Sequence, residues 1–377
     1  MSSPFQKSNP RRQKLVPEVD VLPVAQDKFL LVKQDELLLE KHPKSTITTL
    51  ESLREHLQLA IELEHATIPP YLCALYSIKE GTNLVPSAII RSVVMEEMLH
   101  MTLAANMLNA IGGSPNIRGE LFIPDYPTYL PHSDKAFKVG LGKFSREAIE
   151  TFLKIERPAA TDQPPQAHHY HTIGQFYQAI RIGLKYVEAN SGSTIFTGDP
   201  SWQITPEQYY GGGGRILAIR SLADALEAVD EIEGQGEGID GTINDPDHKL
   251  FGDDIEYAHY FKFNEIYHER FYTEKDSPQS PPSGNKIEVD WSGVYNMQPN
   301  PKMRQYKKDS ELWNKSYEFN KAYMALLDNL HRAFNGKPET IVESAILMYK
   351  LKYLAVELMK TPVEGGPYTA GPTFEYV

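Results

Sequence analysis

VVMEEMLHM, residues 93–101, places Glu97 three residues ahead of His100. On a helix that spacing puts both side chains on one face. The same face carries Val93 and Ala104, so it is the apolar one. DIEYAHYF, residues 254–261, repeats the pattern with Glu256 three residues ahead of His259 and apolar neighbours around both. A carboxylate and an imidazole in an apolar stripe are costly unless something pairs with them. One Glu-x-x-His alone is common by chance and reads first as a solvated pair. Two of them, each preceded by a helix with an acid in its stripe, match the di-iron carboxylate arrangement of four-helix bundles. Carboxylate oxygens and imidazole nitrogens with open positions suit iron, or manganese.

That arrangement needs one more Glu from each of two other helices. The helix before Glu97 is predicted from about Thr49 to Ile78, with Thr48 and Glu51 at capping-box spacing. Its stripe runs Leu53, Leu57, Ala60, Ile61, Ile68, Tyr71, and Glu64 lies on it. Glu62 lies on a polar face with Glu55, Gln58 and His65, so Glu64 is preferred. Pro69 and Pro70 inside this helix should kink it and free carbonyls near His65 and Ala66. The helix carrying Glu97 runs from about Pro86 to Ile111 and stops at Gly112-Gly113. A third is expected after the glycines 211–214, with Ile216, Leu222, Leu226 and Val229, and a fourth from Asp253 to Phe271. In IEGQGEG, 232–238, Glu237 between two glycines is preferred as the remaining acid, with Glu233 as its substitute.

Other polar residues take blander expectations. Glu96 is assigned a supporting or surface place, and Glu265 and His268 the surface. Tyr71 is core first. His168, His169 and His171 look like a metal tract, but a Pro-rich loop more often shows such residues to solvent. Gly211 to Gly214 lack the lysine of a phosphate loop and read as a flexible joint.

The organisation follows. Residues 1–45 form a partly disordered extension, and 46–377 one all-α domain. Within it, 112–214 is an insertion between helices two and three, and 276–377 a helical C-terminal extension on the bundle. The insertion contains a helix from Thr172 to Glu188, and the extension two, near 308–334 and 339–360. Bundle connections usually take about 2–8 residues, so an insertion of this length suggests a separate task. Its aromatics, Tyr170, Phe176, Tyr177, Tyr186 and Phe196, predict a cover over one bundle end and a closed pocket for a small organic molecule.

Composition narrows the partners. A formal charge of −12 argues against nucleic acid. Cys73 is the only cysteine, which rules out an intrachain disulfide and thiolate clusters. No apolar run has the roughly 18 residues of a membrane span, and no signal peptide is read at the N-terminus, so a cytoplasmic location is expected.

Five stretches carry a resemblance: AIELEHATIPPYLCALYSI (60–78), EEMLHMTLAANMLNAIGGSP (96–115), EGQGEG (233–238), AHYFKF (258–263) and TAGPTFEY (369–376). With them the chain resembles the ferritin-like superfamily, and within it the family named after iminophenylpyruvate dimer synthases of bisindole pigment biosynthesis. The resemblance implies a ferritin-like four-helix bundle with Glu64, Glu97, His100, Glu237, Glu256 and His259 at the ligand positions. Dimer-synthase activity is not carried over, because those synthases are far longer chains. The expected function is a non-haem protein with two iron ions, or manganese, acting as a dioxygen-dependent oxidase or oxygenase of a small metabolite in secondary metabolism. A ferroxidase or storage protein and a metal-binding structural partner are the alternatives. The long insertion argues against a storage shell, so a monomer or small homo-oligomer is expected.

Overall fold

In the computed structural model, residues 47–159, 164–209, 212–238, 242–244 and 256–377 are described, without the side chain of Glu237. The expected extension 1–45 therefore lies outside the described residues. Those described form eight α-helices and isolated bridges, with no strand among them.

Helix α1, Leu50–Ser77, is the longest. Its cap is Thr49, one residue past the predicted Thr48, and the Thr49 hydroxyl accepts from the Ser52 amide at 3.1 Å. The helix runs through Pro69 and Pro70 without a break. Proline cannot donate to the carbonyl four residues back. The Ala66 carbonyl freed by Pro70 instead accepts from the Tyr126 hydroxyl at 2.8 Å, so the insertion repairs the ladder. Helix α2, Leu84–Ala110, lies along α1 and ends where Gly112 takes φ +70.

The insertion supplies two helices where the sequence predicts one. Helix α3, Arg146–Ile155, is the additional one; Ser145 caps it and Ile149, Phe152 and Ile155 form its buried stripe. Helix α4, Ile173–Asn190, is capped by Thr172. Helix α5, Leu222–Glu237, starts at Ser221, later than predicted, and Ile216 and Ile219 reach the core from the chain before it. Helix α6 spans only His259–His268. Before it, Tyr257 pairs with Asn244 in an antiparallel bridge and Ala258 is extended, so the helix does not extend back to Glu256; the expected start at Asp253 lies outside the described residues.

Helices α1, α2, α5 and α6 are the bundle elements, but the insertion is built into their ring. Helix α4 packs on both α1 and α5, and α3 on both α1 and α6. Helices α7, Glu311–Phe334, and α8, Ile341–Met359, form an antiparallel pair, α8 against α1 and α7 against α2. Tyr323 of α7 reaches the polar face of α1. His65 there is buried, its Nε2 2.6 Å from the Tyr323 hydroxyl, and burial lowers its proton affinity far below the usual range. The closing segment docks on α7, with Phe374 between Phe319 and Tyr323.

Candidate metal centre

The stripe of α1 delivers Glu64, and that of α2 delivers Glu97 and His100, to one buried point. Glu62 stays half-buried and accepts from Gln58, as the helical phase requires. From the other half comes His259, the first residue of α6 and fully buried. The fifth group is Glu156, at the C-cap of α3, which the sequence pattern does not reveal. Two trios result, Glu64–Glu97–His100 and Glu97–Glu156–His259, each with ligand atoms within 4.8 Å of one another. Glu97 belongs to both.

Glu256 is not among them. It stands before α6, its side chain a third exposed and 3.6 Å from the Lys262 ammonium. Extended backbone at Tyr257 and Ala258 breaks the i, i+3 relation that a helix would impose. Glu237 ends α5, and its side chain lies outside the described residues. Glu233 lines the cavity beside the cluster, but its carboxylate pairs with Arg181, which also meets Asp230 at 2.5 Å.

Both imidazoles are oriented from behind. His100 Nε2 is 2.8 Å from Gln235 Oε1, and the Gln235 amide donates to the Gly213 carbonyl at 2.9 Å. The glycine run is thus part of the site: Gly213 has φ +77, and a Cβ there would stand 3.2 Å from the Glu96 amide nitrogen. Gly211 lies outside the described residues. His259 Nε2 donates to Glu96 at 2.7 Å, and Glu96 also accepts from Lys262 at 2.6 and 2.8 Å. Glu96 is therefore a buried support. Burial alone would raise its pKa, but Lys262 and His259 outweigh that and hold it at about 2. With both Nε2 atoms engaged, each ring turns Nδ1 to the cluster, His100 at 3.6 Å from Glu64 and His259 at 3.0 Å from Glu97 and 3.5 Å from Glu156.

The carboxylates are held as firmly. Tyr177 donates to Glu64 and Tyr71 to Glu156, both in short hydrogen bonds, while the Thr67 hydroxyl donates to Glu97 at 2.6 Å. Tyr71 thus touches the site as well as the core. Burial, then Glu156, pushes the Glu97 carboxyl well up. Burial opposes charge on His259, yet the carboxylates of Glu156, Glu96 and Glu97 around its ring hold its proton well above the usual range.

This donor set fits metal ions. Three buried carboxylates converge on two Nδ1 atoms, and His259 Nδ1 is buried without a well-formed hydrogen bond despite the oxygens beside it. A cation between those atoms would relieve both the carboxylate repulsion and the facing lone pairs. A family model described as Ferritin-like matches residues 57–268, a stretch that starts in α1 and ends with α6. The chain belongs to the ferritin-like family. Its fold is similar to that of a ferritin-like protein from Caulobacter vibrioides, with TM-score 0.60 and 25% identity over 86% of this chain and 97% of that one. No curated protein matches the chain.

Within this ferritin-like bundle the cavity at the cluster is small, about 20 Å³, and it is lined by Ile155, Glu156, Ile173 and Tyr177 of the insertion. The insertion does reach the centre, as expected. That space holds about one water, which needs roughly 10–15 Å³. The insertion builds a wall of this cavity and supplies Glu156. Among the described residues no helix is long and apolar enough to cross a membrane.

Proposed function

We propose that the chain is a non-haem di-iron protein, manganese being the alternative metal, that uses dioxygen to oxidise a small metabolite. The observation that carries this is Glu97, common to two adjoining trios of buried ligands. Glu64 and His100 would hold one ion, Glu156 and His259 the other, and Glu97 both. Iron there would supply the electrons that dioxygen must accept. The protein's own part is orientation and exclusion of water. Gln235 and Glu96 fix the two imidazoles with Nδ1 inward, and Tyr71, Tyr177 and Thr67 fix the carboxylates. Likeness to the iminophenylpyruvate dimer synthase-type family, on the five quoted stretches, supports a place in secondary metabolism. A monomer or small oligomer suits a chain whose insertion and extension enlarge the bundle.

A second reading has its own support. A cavity of about 20 Å³ suits dioxygen or peroxide better than an organic molecule beside the closed centre. That favours oxidation of Fe²⁺ itself, the ferroxidase alternative. One experiment separates the two. Purified protein is loaded anaerobically with Fe²⁺, its iron counted, and dioxygen uptake followed. The metabolite-oxidase reading expects about two iron ions per chain and uptake that stops once they are oxidised. Continued uptake with each fresh addition of Fe²⁺, and ferric iron accumulating far beyond two per chain, supports the ferroxidase. No uptake by iron-loaded protein overturns both.

A further inference from the structure

Two helical turns before Glu64, about 12 Å along α1, a chain of three histidines runs from the helix to the insertion, each ring beside the next. His56 is buried, and its Nδ1 donates to the Ser52 carbonyl at 2.7 Å. That bond fixes the tautomer and leaves a lone pair on Nε2. Nε2 is buried too and meets no hydrogen-bond partner among the described residues. A buried acceptor without a donor is unfavourable by about 1–3 kcal/mol, so it needs a reason. The His168 ring lies beside that of His56, centroids 4.9 Å apart, and His168 in turn meets His132, Nδ1 to Nδ1 at 2.9 Å.

The backbone places the second pair. The His169 amide donates to the His132 carbonyl at 2.7 Å, and Ser133 bridges Tyr170, which sets the two insertion segments side by side. His132 and His168 are exposed at their outer edges and have room to turn. Burial and then the neighbouring His56, His132 and His169 lower the proton affinity of His168, so the neutral ring that a metal needs is favoured; Glu55 acts on it in the opposite sense. A backbone-anchored imidazole with a bare nitrogen is the usual form of a metal-bound histidine.

We propose that His56, His132 and His168 form a second metal site, separate from the carboxylate centre, for a divalent ion that prefers imidazole, of the zinc class. Two imidazole nitrogens on a tetrahedral ion with bonds of about 2.0–2.1 Å stand about 3.3 Å apart. The His132–His168 pair therefore opens only slightly from 2.9 Å, and the two exposed rings swing toward the fixed His56. Glu55 or water completes the coordination. The chemistry differs from the centre, which is rich in carboxylate; this site is rich in nitrogen and selects accordingly. Its ion would tie the insertion to α1 just before the helix delivers Glu64.

The test uses the full chain and Zn²⁺ alone. Wild type is compared with the double variant His132→Asn/His168→Asn, whose changed side chains are exposed and leave the core intact. Zinc per chain is counted after removal of loosely held metal, and the melting temperature is followed as zinc is added. The expected result is one fewer zinc ion in the double variant and loss of a zinc-dependent rise in melting temperature that wild type shows. In Glu97→Ala protein, which lacks the shared central ligand, added Cu²⁺ should show electron spin coupling to three imidazole nitrogens, removed by His132→Asn/His168→Asn. Equal zinc counts and equal thermal response in wild type and double variant would overturn the proposal. The 2.9 Å contact would then be a hydrogen bond between the two rings and nothing more.

Discussion

The two halves of the bundle reach the same centre in different ways. Helices α1 and α2 have 28 and 27 residues; α5 and α6 have 16 and 10. The long pair delivers Glu64, Glu97 and His100 from its own stripes. Among the described side chains, the short pair delivers His259, and its missing carboxylate comes from Glu156 on α3. A long helix fixes the phase of every side chain along it, so a ligand can stand anywhere on the stripe. A ten-residue helix has about three turns, and Glu256 falls off its start. Among the described side chains the second half therefore takes its carboxylate from the insertion, whose helices α3 and α4 pack on α1.

Substitution of the ligands tests that dependence most severely. Glu97→Ala should abolish tight metal binding at the carboxylate centre, since both trios lose a member. Glu156→Ala and Glu64→Ala should each cost about one ion per chain, while Glu62→Ala and Glu256→Ala should keep full occupancy. Elemental analysis of the purified variants decides it. Full occupancy in Glu156→Ala together with loss in Glu256→Ala would show that the second half supplies its own carboxylate, and the comparison would fail.

The same asymmetry explains how much of the centre is legible in the sequence. In α1 the choice of Glu64 over Glu62 follows from phase alone, because a helix of 28 residues leaves no freedom to slip. In α2, Glu97 and His100 share an apolar face with Val93 and Ala104. The pattern fails at Glu256 because a local turn of extended chain, which periodicity does not register, precedes His259. Glu156 escapes notice for another reason. It has no histidine three residues on, and it sits at the end of a helix rather than in a stripe. Its signal is α3 itself: Ser145 followed by Ile149, Phe152 and Ile155 is a capped amphipathic turn pattern. His65 reads as part of a polar face and Glu265 as a surface residue because the helices and loops that bury them are not visible in their own helical periodicity.

The supports behind the two imidazoles sharpen the contrast at a smaller scale. His100 leans on a neutral amide, Gln235, whereas His259 leans on Glu96, charged and paired with buried Lys262. Loss of such a support typically costs about 10–100-fold in metal affinity. Glu96→Gln should fall at the upper end and also lower folding stability by as much as about 3–5 kcal/mol, because a buried ammonium loses its main partner. Gln235→Ala should fall near the lower end and leave the fold stable. Metal titration with denaturant unfolding of the metal-free protein measures both. Equal costs at the two positions would mean that charge in the support does not matter.

The short half also holds a buried acid that serves no ligand. Glu265 on α6 is buried, contrary to the surface place its spacing to His268 suggests; His268 itself is exposed. Its carboxylate accepts from the Tyr272 amide at 2.7 Å, which favours charge, but burial dominates and pushes the pKa from 4.5 up to about 7. The folded chain thus keeps this proton to a higher pH than the unfolded chain does. Between about pH 4.5 and 7 the native state binds more protons, so this group's contribution to stability falls as pH rises and then levels off. Glutamine keeps an oxygen for the Tyr272 amide and never ionises. Glu265→Gln should therefore match wild type near pH 4.5 and become more stable with rising pH, by about 1–3 kcal/mol at about pH 8, since one pKa unit is about 1.4 kcal/mol. Comparing the two proteins at equal metal loading cancels the pH dependence of the centre. A difference that stays flat with pH, or a variant less stable than wild type at the alkaline end, would mean that the amide and Lys262 keep Glu265 charged, and that the short half tolerates its buried acid as an ordinary ion pair.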